Sequence, residues 1–450
     1  MPSDVDVVIV GSGPLGTAAA RRLGEHGLNV LIIEQGPAIS DPAGSHTRNA
    51  ARFHTDPDAY LEVATAHLDF FDDTVPRDNL PGAAVTPARG GQGVIWTNLC
   101  PRGDALWGAL TPDEWATYYG HAEAYLDVHA APFDESTRQQ RIKDRLGGAL
   151  APDGRSIETL PVAATFDGDG FLHFTAPYDT LAASVEASKR VQVIEAPVET
   201  LLHKDAKVTG VVAGGKTIEA PEVIVAAGAI GTPQLLHRSG IRPKALGRWL
   251  SYHPILVAQL VLDADLCAAP GEADREPRLQ IPPSAAADWY SLVLRDVSPF
   301  QPEAPDDTVD PNRLVEIQGI CPVDPVEENG IAFDADSRPT FHVPLSPADN
   351  ARLDGARADA DRITATLGRY RAGCEPIWMP FGFAHMTGTT RMSASDDGTG
   401  VADYQGRVWG FDNLRLATNG LIPTRLTVNP TLTGTALAIA VADRLVTRQT

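Results

Sequence analysis

Residues Asp6 to Glu34 read DVVIVGSGPLGTAAARRLGEHGLNVLIIE, and this stretch decides the fold. Asp6 to Val10 ends in a continuous apolar run, as in a strand buried on both faces of a parallel sheet. It runs directly into Gly11-Ser12-Gly13-Pro14-Leu15-Gly16. Ala18 to Leu23 then has helical composition, and Asn29 to Ile33 is a second apolar, β-branched run ending at Glu34 and Gln35. Strand, glycine turn, helix, strand and acid fit within the roughly 30 residues of a dinucleotide-binding βαβ unit. Gly11 permits the tight turn, Gly13 lets the backbone approach a pyrophosphate, and Gly16 lets helix and strand pack closely. The helix N-terminus offers unsatisfied N–H groups and a positive dipole end to phosphates. Glu34 stands about 20 residues past the first glycine, where it accepts from ribose hydroxyls and repels a 2′-phosphate. The motif serves NAD or FAD; its place at the start of the sequence favours FAD.

Bulk properties narrow the class. A chain of 450 residues suffices for two or three packed regions, and its 43% hydrophobic and 21% charged content is that of an ordinary globular protein. No run of about 18 apolar residues is present to span a membrane. The N-terminus lacks a basic region and its apolar run breaks at Gly11, so no signal peptide is expected. A net charge of −21 without a Lys/Arg cluster argues against nucleic acid or anionic membranes as partners. Cys100, Cys267, Cys321 and Cys374 are far apart with no CxxC. They read as reduced thiols of a cytoplasmic protein, not a metal site or the redox pair of a flavin disulfide reductase.

In chain order, Asp56 to Asp73 carries helical spacing and several acids, as a surface helix or a substrate-domain excursion would. The segment Gly90-Gly91-Gln92-Gly93-Val94-Ile95-Trp96-Thr97-Asn98 has three glycines in four positions, so its backbone passes close to something flat or bulky. Asp113 to Val128 and Asp179 to Ser188 read as helices, and Pro152 to Phe174 as irregular. Short strands are expected at Arg190 to Ile194 and Pro197 to Leu202, then a hairpin, Lys207 to Ala213 and Lys216 to Ala220, across Gly214-Gly215. Glu222 to Ala227 reads as a buried strand at a sheet edge, ending in a second glycine turn at Gly228. From Tyr252 to about Met379 alternating patterns (Leu256 to Leu262, Tyr290 to Arg295, Leu314 to Ile320, Thr340 to Val343) suggest a second domain built on an antiparallel sheet. Asp349 to Leu367 reads as a surface-charged helix.

The last 70 residues carry the candidate chemistry: His385 before a Gly388-Thr389 turn, a strand ending at Asn419-Gly420, and Asn429-Pro430-Thr431 opening a long apolar helix to about Val446. Taken alone, His385 reads equally as a structural histidine, and Asn429-Pro430 as a helix cap followed by proline at the first helical position.

Taken together, GSGPLG, GGQGVIWTN, AAGAIGTPQLL, HMTGT and VNPTLTGTALAIAVADRL resemble the glucose-methanol-choline (GMC) flavin oxidoreductases, in their pyranose oxidase and bacterial C-glycoside 3-oxidase branch. The resemblance implies an α/β protein, α+β overall: a Rossmann-type FAD-binding domain (1-50, 80-110, 176-250 and 384-450) with a second, antiparallel-sheet substrate domain (51-79, 111-175 and 251-383). It implies FAD held by the residues of the βαβ unit and the glycine-rich segment together with Val198, Ala227, Gly228, Asn419, Gly420, Pro430 and Thr431. His385 becomes the base for an alcohol and Asn429 the hydrogen-bond partner of the same oxygen, with hydride passing to flavin N5. The chemistry is sound on its own terms. An alcohol gives up hydride as its O–H proton leaves, so a near-neutral base must sit by the oxygen. An amide N–H then stabilises the developing alkoxide without adding charge, while the dipole of the last helix favours negative charge on the flavin.

The branch often carries, at the position of Ile95, a histidine bonded covalently to the flavin; isoleucine cannot form that bond, so FAD is expected to be non-covalently bound. Thr97 matches a threonine that could affect oxygen reactivity. Members of the family are usually longer, which implies trimmed loops and a more open site, suited to a sugar with a bulky aglycone. Trp378 and Phe381 are candidate stacking residues for a sugar ring. The expected activity is oxidation of a secondary hydroxyl of a sugar or glycoside, with oxygen or a quinone as electron acceptor. A hydroxynitrile lyase or a non-redox FAD-binding protein of the same fold is the alternative.

Overall fold

The computed structural model describes residues 5–55, 66–71, 80, 82–103, 107–168, 170–181, 189–295, 308–379 and 385–449. The first strand, Val7–Val10, pairs in parallel with Val30–Glu34 on one side and Glu222–Val225 on the other. With Val191–Glu195 and Leu414–Leu416 at the edges, these make a five-stranded parallel sheet. Alternation along each strand sorts the side chains to two faces. Val7, Ile9, Val30, Ile32 and Ile224 pack under the helices Pro14–Glu25 and Thr431–Gln449, through Ala19, Leu23, Ala438 and Leu445. Val8, Val10, Leu31, Ile33, Val223 and Val225 face a second core, shared with the three-stranded sheet Val198–Lys204, Lys207–Ala213 and Lys216–Glu219. The expected hairpin turns at Gly214 and Gly215, both with positive φ (55° and 71°). The strand Glu222–Val225 lies inside the sheet, not at its edge: Leu414–Leu416 covers its outer side in parallel.

A seven-stranded antiparallel sheet forms the second layer system. Its centre is the strand Ile255–Leu262 paired with Leu314–Ile320, followed by Tyr290–Leu294, Arg278–Ile281 and Glu158–Thr159. Arg278–Ile281, Gly368–Tyr370 and Ile377–Trp378 join this sheet without having announced themselves by alternation. Pro339–His342, by contrast, pairs among the described residues only with Gly330–Phe333, in a separate ribbon. One face of the large sheet (Leu256, Leu260, Leu279, Val293, Ile317) is covered by the helices Thr137–Leu150 and Pro347–Leu367. The other face (Ile255, Val257, Leu292, Leu294) merges with the core of the parallel sheet. The helix Pro112–Leu126 packs against Thr431–Gln449 through Trp115 and Tyr119, and so stands on the parallel-sheet side.

The helix Pro347–Leu367 is not simply a charged surface helix. Asp349, Arg352 and Asp359 point inwards and are buried. Asp359 pairs with Arg155 at 2.6 Å and accepts from Trp289 Nε1 and Ser291 Oγ, each at 3.1 Å. A buried carboxylate is tolerated because every oxygen is met. Most of the expected helix at 56–73 and most of that at 179–188 lie outside the described residues.

Candidate active site

The parallel strands aim their C-terminal ends at one cavity of about 400 Å³, lined by Val10, Glu34, Ala226 and Ala417 at those ends. This is where open α/β sheets bind ligands. Gly11 turns the chain at φ +103°, and a Cβ there would lie 2.6 Å from Ala226 O. Gly16 has no room either, since a Cβ would lie 2.2 Å from Gly11 O. Gly13, in contrast, has nothing among the described residues within 4 Å on its Cβ side. It caps the helix Pro14–Glu25 without a side-chain hydrogen bond, and no acid stands in the first turn. The backbone N–H groups there are left for a ligand. The helix Gly228–Arg238 likewise starts without a side-chain cap and opens on the same cavity at Ala227 and Gly228. Asn429, Pro430 and Thr431 bring the start of a third helix to it.

Glu34 fastens the glycine loop. Its Oε2 accepts from Ser12 N and Ser12 Oγ, each at 2.8 Å, and its Oε1 accepts from Gly36 N at 2.9 Å. Ser12 Oγ in turn accepts from Gly90 N at 2.8 Å, tying the second glycine segment to the first. A carboxylate has about four lone-pair sites, so one remains on Oε1 for a ligand hydroxyl. Gly91 rests on Gly13, where a Cβ would come within 3.0 Å of Gly13 Cα.

Of the residues expected at the cofactor, Gly11, Gly13, Pro14, Leu15, Glu34, Gln35, Gly91, Gly93, Trp96, Thr97, Val198, Ala227, Gly228, Asn419, Pro430 and Thr431 line the cavity. Six do not, and each has another task. Ser12 and Gly90 form the latch just described, and Gly16 is the helix–strand contact. Val94 is fully buried in a small core with Phe53 and Ala88. Asn98 donates to Ala163 O and Thr175 O at 2.7 and 2.8 Å. Gly420 packs where a Cβ would meet Thr390 Oγ1 at 2.5 Å. Trp378 is a sheet residue opposite Leu256 and packs against the core between the large antiparallel sheet and the helices Thr137–Leu150 and Pro347–Leu367, outside the cavity lining. Phe381 lies outside the described residues.

His385 and Asn429 come from separate turns and meet with Nε2 and Nδ2 3.0 Å apart. His385 adopts φ +64°, a conformation histidine holds only when its surroundings fix it. The fixing contact is a bridge between Ser251 and Thr387, with N···O distances of 2.9 and 3.2 Å. Gly388 (φ +86°) makes the approach possible, since a Cβ there would stand 2.0 Å from Trp249 O. In that antiparallel register the next pair on the same face is His253 and His385. Their Nδ1 atoms are 2.9 Å apart, and His253 Nε2 is 2.7 Å from Leu426 O. Burial first, and His253 second, hold the His385 pKa well below the ordinary imidazole range. The base form therefore persists at neutral pH.

His253 escaped the sequence reading because its partner is 132 residues away; the only signal was a Ser-x-His facing a His-x-Thr. Ile255 and Gln318 of the antiparallel sheet, and Met379 just past its strand Ile377–Trp378, also line the cavity unannounced. Gln318 pairs with Val257 in the register and so shares the face of Ile255.

Uncapped helix starts, an open glycine cradle and one free carboxylate lone pair fit a dinucleotide with an anionic pyrophosphate, as FAD has. Residues 6–246 match the family described as FAD dependent oxidoreductase, and residues 333–438 the family described as GMC oxidoreductase. A pyranose 2-oxidase of Tricholoma matsutake is 30% identical over 98% of this chain and 93% of its own. A C-glycoside 3-oxidase of Microbacterium trichothecenolyticum is 31% identical over 97% of this chain and 96% of its own. Among solved structures, a pyridoxine 4-oxidase from Mesorbium loti has the same fold, with a TM-score of 0.68 at 18% identity over 98% of this chain and 99% of that one. With more than half of the chain matched by one family and such identities sustained over nearly its full length, the chain belongs to the GMC family of FAD-dependent oxidoreductases.

Proposed function

We propose that this enzyme oxidises a secondary hydroxyl of a pyranose or glycoside to a ketone, with His385 as base and Asn429 as hydrogen-bond partner of the reacting oxygen. The observation that carries the proposal is the His385–Asn429 pair, 3.0 Å apart on the wall of the FAD cavity. Two relatives named for oxidation at positions 2 and 3 of a sugar ring, both secondary carbons, support the substrate class.

FAD, when bound, supplies the acceptor for the hydride. The protein does the rest. His385 Nε2 takes the hydroxyl proton, and its depressed pKa keeps the nitrogen unprotonated until substrate arrives. Asn429 Nδ2 donates to the same oxygen as it gains negative charge, and an amide fixed at a helix start needs no reorganisation to do so. Gln318, facing the cavity from the antiparallel sheet, offers a polar contact to another hydroxyl of the ring.

The division of labour follows the two sheets, with the parallel sheet and its glycine loops holding FAD and the antiparallel sheet facing the substrate. Ile95 lines the cavity and has no group able to bond to the flavin, so FAD is held non-covalently. Acid precipitation should release all of the flavin. Cys100, Cys267, Cys321 and Cys374 are thiols and not disulfides, as suits a cytoplasmic protein, and no helix among the described residues is long and apolar enough to cross a membrane. Oxygen or a quinone accepts the electrons in turn.

Incubation with pyranoses and O- and C-glycosides in air, followed by NMR of the product, tests the function. One ketone at a secondary ring carbon, with equivalent peroxide or reduced quinone, is expected. Oxidation confined to a primary alcohol, or hydrogen cyanide released from a cyanohydrin without flavin reduction, would overturn it.

A further inference from the structure

We propose that His253 is a positioning residue that fixes the tautomer of His385 and so decides which of its nitrogens is the base. The proposal rests on the reading of His385 as the base. It follows from the direction of three hydrogen bonds. Leu426 O can only accept, so His253 Nε2, 2.7 Å away, is the donor and carries the proton. A neutral imidazole has one N–H, so His253 Nδ1 then presents a lone pair. His385 Nδ1 stands 2.9 Å from that lone pair and must be protonated to meet it. His385 Nε2 is thereby left bare, facing Asn429 Nδ2 at 3.0 Å as an acceptor. The chain Asn429, His385, His253, Leu426 runs in one sense only and ends on a backbone carbonyl, which cannot take up a proton. His253 orients and does not relay.

Packing supports the same assignment. His253 is 2% exposed, so a cation there would be costly. The two rings meet edge to face, with centroids 5.0 Å apart and an interplanar angle of 73°, which sets the His385 ring plane as well as its tautomer. The ladder that aligns Ser251 with Thr387 brings the two rings together, so the arrangement is built into the backbone.

The first test reads the tautomer directly, in FAD-loaded protein labelled with ¹⁵N-histidine at mildly alkaline pH. Signals are assigned from the spectra of His385→Gln and His253→Asn. Protonated Nδ1 and bare Nε2 on His385, with the reverse on His253, is the expected result; protonated Nε2 on His385 overturns the proposal. The second test is kinetic. His253→Leu removes the acceptor, and kcat should fall about tenfold to a hundredfold, the order found for partners that orient metal-bound imidazoles. KM should stay unchanged, and His253→Asn, whose amide oxygen can accept from His385 Nδ1, should recover part of the loss. A leucine variant with the parent's kcat, or an asparagine variant no better than leucine, overturns the proposal. Should the leucine variant fail to hold FAD, the tautomer measured in the parent decides alone. The tautomer needs no turnover, so its outcome is separate from any failure of the sugar-oxidation proposal.

Discussion

His385 joins an unfavourable backbone conformation to an unfavourable place for charge. A positive φ for a non-glycine residue costs on the order of 1–3 kcal/mol, and such strain persists where the surroundings over-determine it. Here the surroundings are the Ser251–Thr387 bridge and the Asn429 contact. Replacing His385 with alanine should lower kcat by about 10²–10⁴-fold, while the visible absorbance of the purified protein still reports a full complement of FAD. The pH profile has a definite sign. Burial, with His253 beside it, lowers the His385 pKa, so the base form survives as the pH falls through the ordinary imidazole value of about 6.5. The kcat/KM should stay level across that point and decline only at lower pH; a midpoint at or above it would contradict the assignment. The turn and cap signals beside them, Gly-Thr and Asn-Pro, singled out His385 and Asn429 in the sequence, but each alone reads as a structural residue, and the expectation that they pair came from the resemblance to the GMC oxidoreductases. His253 was not, since it is defined by a register between distant segments that no local pattern encodes.

Close approaches of backbone, at glycines, set the geometry among elements. Gly388→Ala would press a Cβ to within 2.0 Å of Trp249 O at a φ of +86°. The Ser251–Thr387 bridge should loosen, lowering both kcat and the melting temperature although no group that touches substrate has changed. Gly16→Ala would meet Gly11 O at 2.2 Å and push the first helix off its strand. We expect that variant to purify without its visible flavin spectrum. The first βαβ unit could be read from sequence because apolar run, turn and helix agree at every position. The strand Glu222–Val225 was legible as a strand but misplaced at an edge, since its outer neighbour Leu414–Leu416 is only three residues long and lies nearly 190 residues further on. Short strands such as Glu158–Thr159 give no period to detect.

At the scale of the molecule, the parallel sheet and the antiparallel sheet share one continuous core, with the cavity at their junction. The second sheet is further held by the Arg155–Asp359 pair, buried beneath the helix Pro347–Leu367. Burial raises the Asp359 pKa, but Arg155, Trp289 and Ser291 outweigh it and hold the group below the usual carboxylate value. Its stabilisation is therefore complete above about pH 4 and lost as the pH falls further. Asp359→Ala leaves Arg155 buried without its main charge partner and should cost about 3–5 kcal/mol, read from the urea midpoint. These inward charges explain why a charged pattern read as surface: sequence shows that a helix carries charge, not which charges are paired beneath it. What the whole arrangement exists to do is tested most directly by anaerobic mixing of the FAD-loaded enzyme with pyranoses and glycosides, following the visible flavin absorbance. Bleaching by at least one of them, with one equivalent of a secondary ketone formed per flavin and with the rate sharply reduced in His385→Ala, is the predicted result. No bleaching by any sugar, or bleaching that His385→Ala leaves unchanged, would contradict it.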